Sequence, residues 1–454
     1  MPSRFRPLLL ALAGAASLAM AAAPAAAQSI LRDAETEAFL QDISAPMAKS
    51  AGLSPGALKL VLINDPSINA FVATGQAIYI HSGTVERADN ANELEGVIAH
   101  ELGHIEGGDA VRTDIAASAA TRVTLLSLLL GAAAIAAGAP EAGMAAMMAG
   151  QSAAMGKFLA YSRQQEGSAD ASAIRHLNDA HLSGQGMISF FAKLKQEEYR
   201  LTPSYTAVDP FAQSHPMTED RQAVLEADLR KSPWWNAPAD PAKQARFLRI
   251  KAKLVGYLDD PPLVLRKYPE TDQSVPARYA RAYAWHRGGY PDRAIQEVDK
   301  LVTAAPHDPY FLELKGQILL ESGKPALAIA PLREAVAQSR STPLIASLLG
   351  DALVASEDPV NFKEAGQVLR VAVQRDNENP QAWYNLGLIY TRLGDEARAS
   401  LASAERFSLE GNPRLAMANA EMAMRGIPTG TPDYLRAQDL ALTARDEAQK
   451  KGRR

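Results

Sequence analysis

Apolar residues in the first quarter of the chain recur with helical and strand periods that predict a mixed α and β unit. Phe39, Ile43 and Met47 are four residues apart, which places them on one face of a helix predicted over 33–51. Short apolar runs at 58–63 and 71–81 predict two strands, the second ending at turn residues. A further helical pattern follows over 93–106. The first domain is therefore expected to be mostly helical with a small sheet.

The most apolar stretch beyond the N-terminus runs from Val123 to Pro140 without a charged residue. Eighteen residues touch the lower limit for a membrane-spanning helix, so a span is one interpretation. Much of the stretch is alanine and glycine, which bury little area. This favours a helical hairpin that packs on the body of the first domain, with one face in peripheral contact with a membrane or a partner.

The second half of the chain repeats with a period of 34 residues. Small residues recur at that interval at Ala282, Gly316 and Gly350. This pattern resembles the tetratricopeptide repeat, in which small residues let two helices approach closely. Four repeats fit between 275 and 413, and 414–447 has the pattern of a further helical pair. An all-α solenoid is therefore expected here.

The N-terminal segment and the segment between the two domains complete the predicted domain organisation. Arg4 and Arg6 precede an apolar stretch and an A-x-A site, which is the layout of a secretory signal peptide cut after Ala27. The prediction is therefore an exported protein of the bacterial periplasm. A proline-bearing, partly helical connector is expected between the domains. The predicted divisions are a signal peptide at 1–27, a catalytic domain at 28–235, a connector at 236–274 and repeats at 275–447.

Composition and charge narrow the candidate chemistry. The chain has 454 residues, a formal net charge of -4 and no cysteine. The near-neutral balance gives no electrostatic reason to expect nucleic acid as a partner. Without cysteine, a disulfide framework, a cysteine nucleophile and a cysteine zinc cluster are excluded. Any metal must be held by nitrogen and oxygen ligands, and the chain has eight histidines to supply the nitrogen.

One segment of the predicted helix over 93–106 has the spacing of a zinc site. His100-Glu101-Leu102-Gly103-His104 reads H-E-x-x-H, and histidines four residues apart lie on the same helix face. Their imidazoles are expected to bind one zinc ion. Glu101 then lies where it can take a proton from a water activated by the metal.

A zinc hydrolase needs a third protein ligand, and the chain offers one candidate downstream. A histidine six residues beyond the second would indicate a metzincin, but Ala110 stands there. Glu166-Gly167-Ser168-Ala169-Asp170 places two carboxylates one turn apart on another helix. Glu166 is the expected ligand, and Asp170 is expected to accept the ring proton of a zinc histidine. Taken alone, this segment also fits a solvated helix face.

Together the two motifs resemble the M48 family of zinc metallopeptidases, which are gluzincins. The segment Asn69-Ala70-Phe71 is similar to the family's N-A-F edge strand, and His215-Pro216 with Arg221 is similar to its H-P-x-x-x-x-R segment. The resemblance implies an α+β gluzincin-type metallopeptidase domain, followed here by the tetratricopeptide-repeat solenoid. It also implies one zinc ion on His100, His104 and Glu166. Asp109 departs from many relatives, which carry histidine there, and this leaves local packing or regulation open.

The resemblance further implies roles for His215 and for the partners. His215 is expected to be a fourth zinc ligand in a latent state, a group that stabilises the oxyanion, or a structural residue beside Pro216. Tyr161 and Arg163 are weaker candidates for the oxyanion. The expected clients are misfolded or stalled outer-membrane proteins, with the repeats recruiting substrate or assembly machinery. The alternative function is a chaperone or scaffold with weak or latent peptidase activity.

Overall fold

The structure is a computed structural model that describes residues 29–73, 75–136, 139–201, 215 and 218–452. A mostly helical unit with a small sheet is followed by an array of paired helices, which confirms the predicted fold class. The predicted signal peptide at 1–27, and Pro216 beside His215, lie outside the described residues.

The first unit begins with a sheet and the helices that cover it. Its elements are β1 (Ile30–Leu31), α1 (Ala34–Ser50), β2 (Lys59–Ile63), β3 (Ala70–Val72), β4 (Ala77–His81), α2 (Ser82–Arg87), α3 (Ala91–Gly107), α4 (Asp109–Ala136), α5 (Pro140–Asp179), α6 (Gln185–Leu201) and α7 (Glu219–Leu229). Helix α1 buries Phe39, Ile43 and Met47, as their spacing predicts.

The sheet has four strands in the order β1-β2-β4-β3. Strands β2 and β4 are parallel, and both outer pairs are antiparallel. The single strand expected over 71–81 is wrong, because this segment is a hairpin of β3 and β4. Gly75 lies in its turn with φ +95°, a conformation that residues with a side chain rarely adopt. Strand β3 is consequently an edge strand beside α3.

The segment predicted as a connector is helical and belongs partly to the core of the first unit. Its two helices are α8 (Pro241–Leu258) and α9 (Pro261–Lys267). Phe247, Ile250 and Leu254 of α8 are buried in the same cluster as Phe39 of α1. The first unit therefore completes its core with residues that follow position 235.

Five antiparallel helix pairs make up the rest of the described chain. Their helices are α10 (Val275–Arg287), α11 (Pro291–Ala304), α12 (Pro309–Glu321), α13 (Pro325–Gln338), α14 (Pro343–Ala355), α15 (Pro359–Arg375), α16 (Pro380–Arg392), α17 (Glu396–Leu409), α18 (Pro413–Gly426) and α19 (Pro432–Gly452). A Cβ added to Gly316 or Gly350 would lie within 2.4 Å of Leu332 or Leu369. In these two pairs, the small residues spaced by 34 positions therefore mark a close approach of the two helices.

The helix array packs against the first unit through ion pairs and a small apolar cluster. Tyr279 donates a hydrogen bond to Glu35 at 2.7 Å, and Arg32 forms an ion pair with Asp376 at 2.8 Å. Ala34 of α1 is buried against residues of α12, α13 and α14. These contacts join residues that are up to 344 positions apart.

Helices α4 and α5 form the predicted hairpin, but it does not lie on the body of the first unit. Between Thr121 and Lys157, the buried residues among those whose burial is described are Gly131, Gly143 and Ala154. The expectation that 123–140 packs on the first unit is therefore wrong for its described residues, most of which are exposed because the hairpin projects. Across the described helices, none is long and apolar enough to cross a membrane.

Candidate metal centre

Helix α3 presents both histidines of the H-E-x-x-H segment from one buried face. The helix begins after Asn90, whose side chain accepts the backbone N–H of Glu93, and ends at Gly108 with φ +64°. His100 and His104 are both buried, and their Nε2 atoms are 3.2 Å apart. The two predicted metal-ligating nitrogens therefore face each other.

A close approach of two helices brings Glu166 to this pair. A Cβ added to Gly103 would lie 2.6 Å from the carbonyl oxygen of Ala169, so glycine permits the contact between α3 and α5. Glu166 is buried, with Oε2 3.4 Å from Nε2 of His100 and Oε1 3.5 Å from Nε2 of His104. The glycine inside the motif thus allows the third predicted ligand to reach the first two.

His215 completes a cluster of four groups. Its Nδ1 lies 3.3 Å from Nε2 of His100 and 3.0 Å from Oε1 of Glu166. One ligand atom from each of His100, His104, Glu166 and His215 can be chosen so that all lie within 4.8 Å of one another. In a tetrahedral zinc site with bonds of about 2.0–2.1 Å, neighbouring ligand atoms are roughly 3.3 Å apart. The donor types and their separations therefore fit a metal ion.

Glu101 lies beside this cluster with its carboxylate fully buried. Neither of its oxygens has a hydrogen-bond partner among the described residues, and Oε1 is 3.6 Å from Nε2 of His215. A buried carboxylate without such a partner is costly, and sites of this kind are often functional. Its position leaves both oxygens available to a molecule bound at the cluster.

A carboxylate lies beside the outer ring nitrogen of each histidine. Asp170, one turn after Glu166 on α5, has its Oδ1 3.0 Å from Nδ1 of His100. Asp109 Oδ2 is 2.8 Å from Nδ1 of His104. When the imidazoles are neutral, each contact favours the tautomer whose Nε2 lone pair points into the cluster.

Sequence reasoning missed the role of Asp109, which it noted only as a departure from relatives. The signal available was the pair of glycines before it, because Gly108 in the left-handed region turns the chain back over the end of α3. An acid directly after such a turn can reach a histidine in the last turn of the helix.

Arg221 bridges the two carboxylates of the α5 motif. Its Nη1 lies 2.6 Å from Oε2 of Glu166, and its Nε and Nη2 lie 2.6 and 2.8 Å from the oxygens of Asp170. Burial raises the pKa of Asp170, but hydrogen bonds from Arg221 and His100 outweigh it and hold this pKa below its ordinary value. Burial lowers the pKa of His100, but Asp170 and Glu166 raise it to about 9.

The remaining candidates lie near the cluster without joining it. Tyr161 accepts a hydrogen bond from Gln165 at 2.9 Å. Arg163 is exposed and lines a cavity of about 330 Å³ together with Glu166, Asp170 and Arg221. Val224 and Leu225 of α7 also line this cavity.

Comparison with known proteins agrees with this geometry. Residues 34–228 match the model of peptidase family M48, and 291–343 and 313–380 match a tetratricopeptide repeat model. The beta-barrel assembly-enhancing protease of Yersinia pestis is 25% identical over 358 residues, covering 77% of this chain and 71% of that protein. These matches confirm the resemblance predicted from the two motifs.

Two further relatives extend the comparison. The putative beta-barrel assembly-enhancing protease of Vibrio cholerae is 24% identical over 398 residues, covering 85% of this chain and 79% of that protein. The protease HtpX homolog of Streptococcus uberis is 42% identical over 74 residues, covering 15% of this chain and 24% of that protein.

Proposed function

Because the chain carries a metalloprotease domain of peptidase family M48 followed by tetratricopeptide repeats, we propose that it is a zinc-dependent endopeptidase of the cell envelope. The observation that carries the proposal is the cluster of His100, His104, Glu166 and His215 beside the buried carboxylate of Glu101. This combination supplies both a metal site and a proton acceptor.

The proposed ligands are His100, His104 and Glu166. Two imidazoles and a carboxylate suit zinc, and the absence of cysteine restricts any site to such donors. When bound, zinc would supply Lewis-acid chemistry that acidifies water and polarises a peptide carbonyl.

Glu101 is proposed as the proton carrier of peptide hydrolysis. Its carboxylate takes a proton from the attacking water and passes it to the nitrogen of the amine that leaves. Water adds to the carbonyl carbon, the C–N bond breaks, and the products are a carboxyl group and an amine. An acceptor without a competing hydrogen bond among the described residues suits this role.

Three further residues are proposed to position the ligands. Asp170 and Asp109 hold the rings of His100 and His104 with Nε2 toward the cluster. Arg221 places its positive charge between Glu166 and Asp170, which favours the ionised form of both carboxylates. None of the three reaches the reacting atoms.

His215 is proposed as a fourth ligand of a resting state. Its Nδ1 belongs to the donor cluster, which favours this role over oxyanion stabilisation or a structural role. A catalytic zinc site keeps one position open, so His215 must leave the cluster before a substrate is cleaved. The proposed enzyme is therefore latent until this displacement occurs.

The proposed clients and location rest on the sequence and on the named relatives. The predicted signal peptide at 1–27 leads to the periplasm. Two relatives are named as β-barrel assembly-enhancing proteases, so misfolded or stalled outer-membrane proteins are the proposed substrates. The repeats offer an extended surface suited to recruiting these proteins or their assembly machinery.

The occupied fourth position also supports a second candidate function. A chaperone or scaffold for outer-membrane protein assembly would need the repeats, and a metal site closed by His215 would leave its peptidase activity weak. The two functions differ in whether the client is cut.

The test compares Glu101→Gln with the wild-type chain on an unfolded outer-membrane protein. We expect equal zinc content and a loss of cleavage of at least about 10²-fold, because the general base is removed. Glu106→Gln on the same helix is the matched control, since Glu106 is exposed and pairs with Arg175. His215→Ala should cleave faster than wild type.

Three results would overturn parts of the proposal. Equal cleavage by wild type and Glu101→Gln would exclude the mechanism, and a wild-type chain without zinc would exclude the site. A wild-type chain that protects the client from aggregation without cutting it would establish the chaperone function instead.

A further inference from the structure

The α4–α5 hairpin exposes an unusual amount of apolar side chain. Leu126 and Leu129 of α4 are 58% and 69% exposed. The other exposed large apolar residues of the hairpin are Leu125, Leu128, Leu130, Ile135, Met144, Met148, Met155 and Leu159. Large clusters of this kind on a protein surface mark an interaction site.

The two helices approach most closely at small residues, where the side chains of Met147 and Ile135 also pack against the glycines. A Cβ added to Gly131 would lie 2.6 Å from the carbonyl oxygen of Gly143, and one added to Gly150 would lie 2.0 Å from Cβ of Ser127. A hairpin stable in water would instead bury its leucines between its helices. Small residues inside and large apolar residues outside are the arrangement of helices that pack in lipid.

Charge is sparse along the hairpin: it is positive at the base of the apolar part, and a single acid near the tip opposes insertion. Between Val123 and Gly156 the chain carries one charged residue, Glu141 near the tip. Arg122 and Lys157 flank this stretch, and both are exposed. Because Ser127 contacts Gly150, Arg122 and Lys157 lie at similar heights on the two helices. They form a basic collar at the base of the apolar part.

The length of the apolar part fits one leaflet. The described residues 123–136 of α4 rise about 20 Å as a helix, which is about half of the 40–45 Å thickness of a bilayer measured with its headgroup regions. This agrees with the finding that no described helix is able to span a bilayer. We propose that the hairpin inserts its apolar end into one leaflet of an anionic membrane, with Arg122 and Lys157 among the phosphates.

A bilayer accounts for the surface better than a second copy of the chain does. Leu125, Leu126, Leu128 and Leu129 point in different directions around α4, since successive residues turn by about 100°. A planar interface with another protein would leave part of this set in water, whereas lipid surrounds it. Anionic headgroups also match the charge of the collar.

Insertion would hold the metal cluster at a fixed height above the membrane. Glu166 follows Lys157 by nine residues on the same helix, a rise of about 14 Å. Membrane insertion needs no peptidase activity, and it would give the protein a lipid-binding site in addition to its proposed function.

The test measures binding to vesicles of phosphatidylethanolamine and phosphatidylglycerol in a 3:1 ratio. The protein is the chain without residues 1–27, because the predicted signal peptide would itself bind lipid. We expect wild type to co-float with these vesicles and Leu126→Ser/Leu129→Ser to partition about 100-fold less. The matched control is Leu327→Ser/Leu442→Ser, at positions 61% and 55% exposed on the repeats, which should bind as wild type does.

Two further variants test depth and charge. The chain has no cysteine, so Leu129→Cys accepts a single environment-sensitive dye whose emission should shift to the blue with vesicles, while Leu327→Cys should not shift. Arg122→Gln/Lys157→Gln should lose about 10-fold in binding to anionic vesicles.

Several outcomes would overturn the proposal. Wild type that stays unbound, or a double serine variant that binds as wild type does, would exclude insertion. A dimer that depends on Leu126 and Leu129, without vesicle binding, would assign the surface to a second copy. Unfolding of the variants is checked by circular dichroism, and the dye on Leu129→Cys gives an independent readout.

Discussion

Gly103 offers a direct test of how the helix contact builds the metal cluster. The perturbation is Gly103→Ala, which adds one methyl group between α3 and α5. The new Cβ would meet the Ala169 carbonyl oxygen at 2.6 Å, about 0.8 Å inside the 3.4 Å at which ordinary van der Waals contact begins. The three nearest neighbours of this Cβ are backbone atoms of Ala169, so the helices themselves must separate.

The expected effect has two parts. Overpacking of this kind costs about 1–3 kcal/mol in the free energy of unfolding. A separation of the helices by several tenths of an ångström also moves Glu166 away from His100 and His104. Metal–ligand distances are held to about 0.2 Å, so the affinity for zinc should fall along with stability.

Gly167→Ala is the matched control in the neighbouring motif. A Cβ at Gly167 has no heavy atom within 4 Å, so alanine should be accepted and should stabilise α5 by about 0.5–1 kcal/mol. The assays are urea unfolding of the metal-free chains and zinc titration of the folded ones. If Gly103→Ala matched the wild-type chain in both measurements, the helix contact would not control the site.

Two other predictions concern carboxylates outside the proposed ligand set. Asp109→Ala should lower zinc affinity about 10- to 100-fold, because His104 loses the acceptor that orients its ring. Asp109→Asn should keep more of the zinc affinity, since its amide oxygen still accepts a hydrogen bond. Equal zinc affinities of both variants and the wild-type chain would refute the positioning role of Asp109. Burial raises the pKa of Asp351 to about 7 despite a hydrogen bond from Asn385. Ionisation of Asp351 therefore destabilises the fold increasingly between pH 4 and pH 7, and the destabilisation is complete above pH 7. Asp351→Asn should therefore raise the free energy of unfolding by on the order of 1 kcal/mol at pH 8 and not at pH 4, whereas exposed Asp439→Asn should change little at either pH.

The sequence was informative wherever a local pattern decides the structure. The four-residue spacing of Phe39, Ile43 and Met47 predicts the buried face of α1, and H-E-x-x-H predicts two imidazoles on one helix face. The 34-residue spacing of Gly316 and Gly350 predicts the helix pairs, because each glycine is required by a contact inside its own pair.

The spacing of residue types along the chain does not predict contacts between distant segments. Nothing near Asp376 indicates that it pairs with Arg32, and nothing in α8 indicates that Phe247 completes the core of the first unit. The projection of the hairpin was also missed. Hydrophobicity predicts that its leucines avoid water, but it does not distinguish burial in protein from burial in lipid.

Helix α5 carries both the apolar hairpin and a proposed zinc ligand, and its length has a mechanical consequence. It spans 40 residues, or about 60 Å, and touches α3 tightly at Ala169. With that contact as a fulcrum, Met144 lies on an arm of about 38 Å and Glu166 on an arm of about 4.5 Å. If the helix pivoted rigidly about that contact, a sideways movement of about 4 Å at Met144 would move Glu166 by about 0.5 Å. Such a pivot would convert large motions at the far end of the helix into displacements on the scale that a catalytic geometry tolerates.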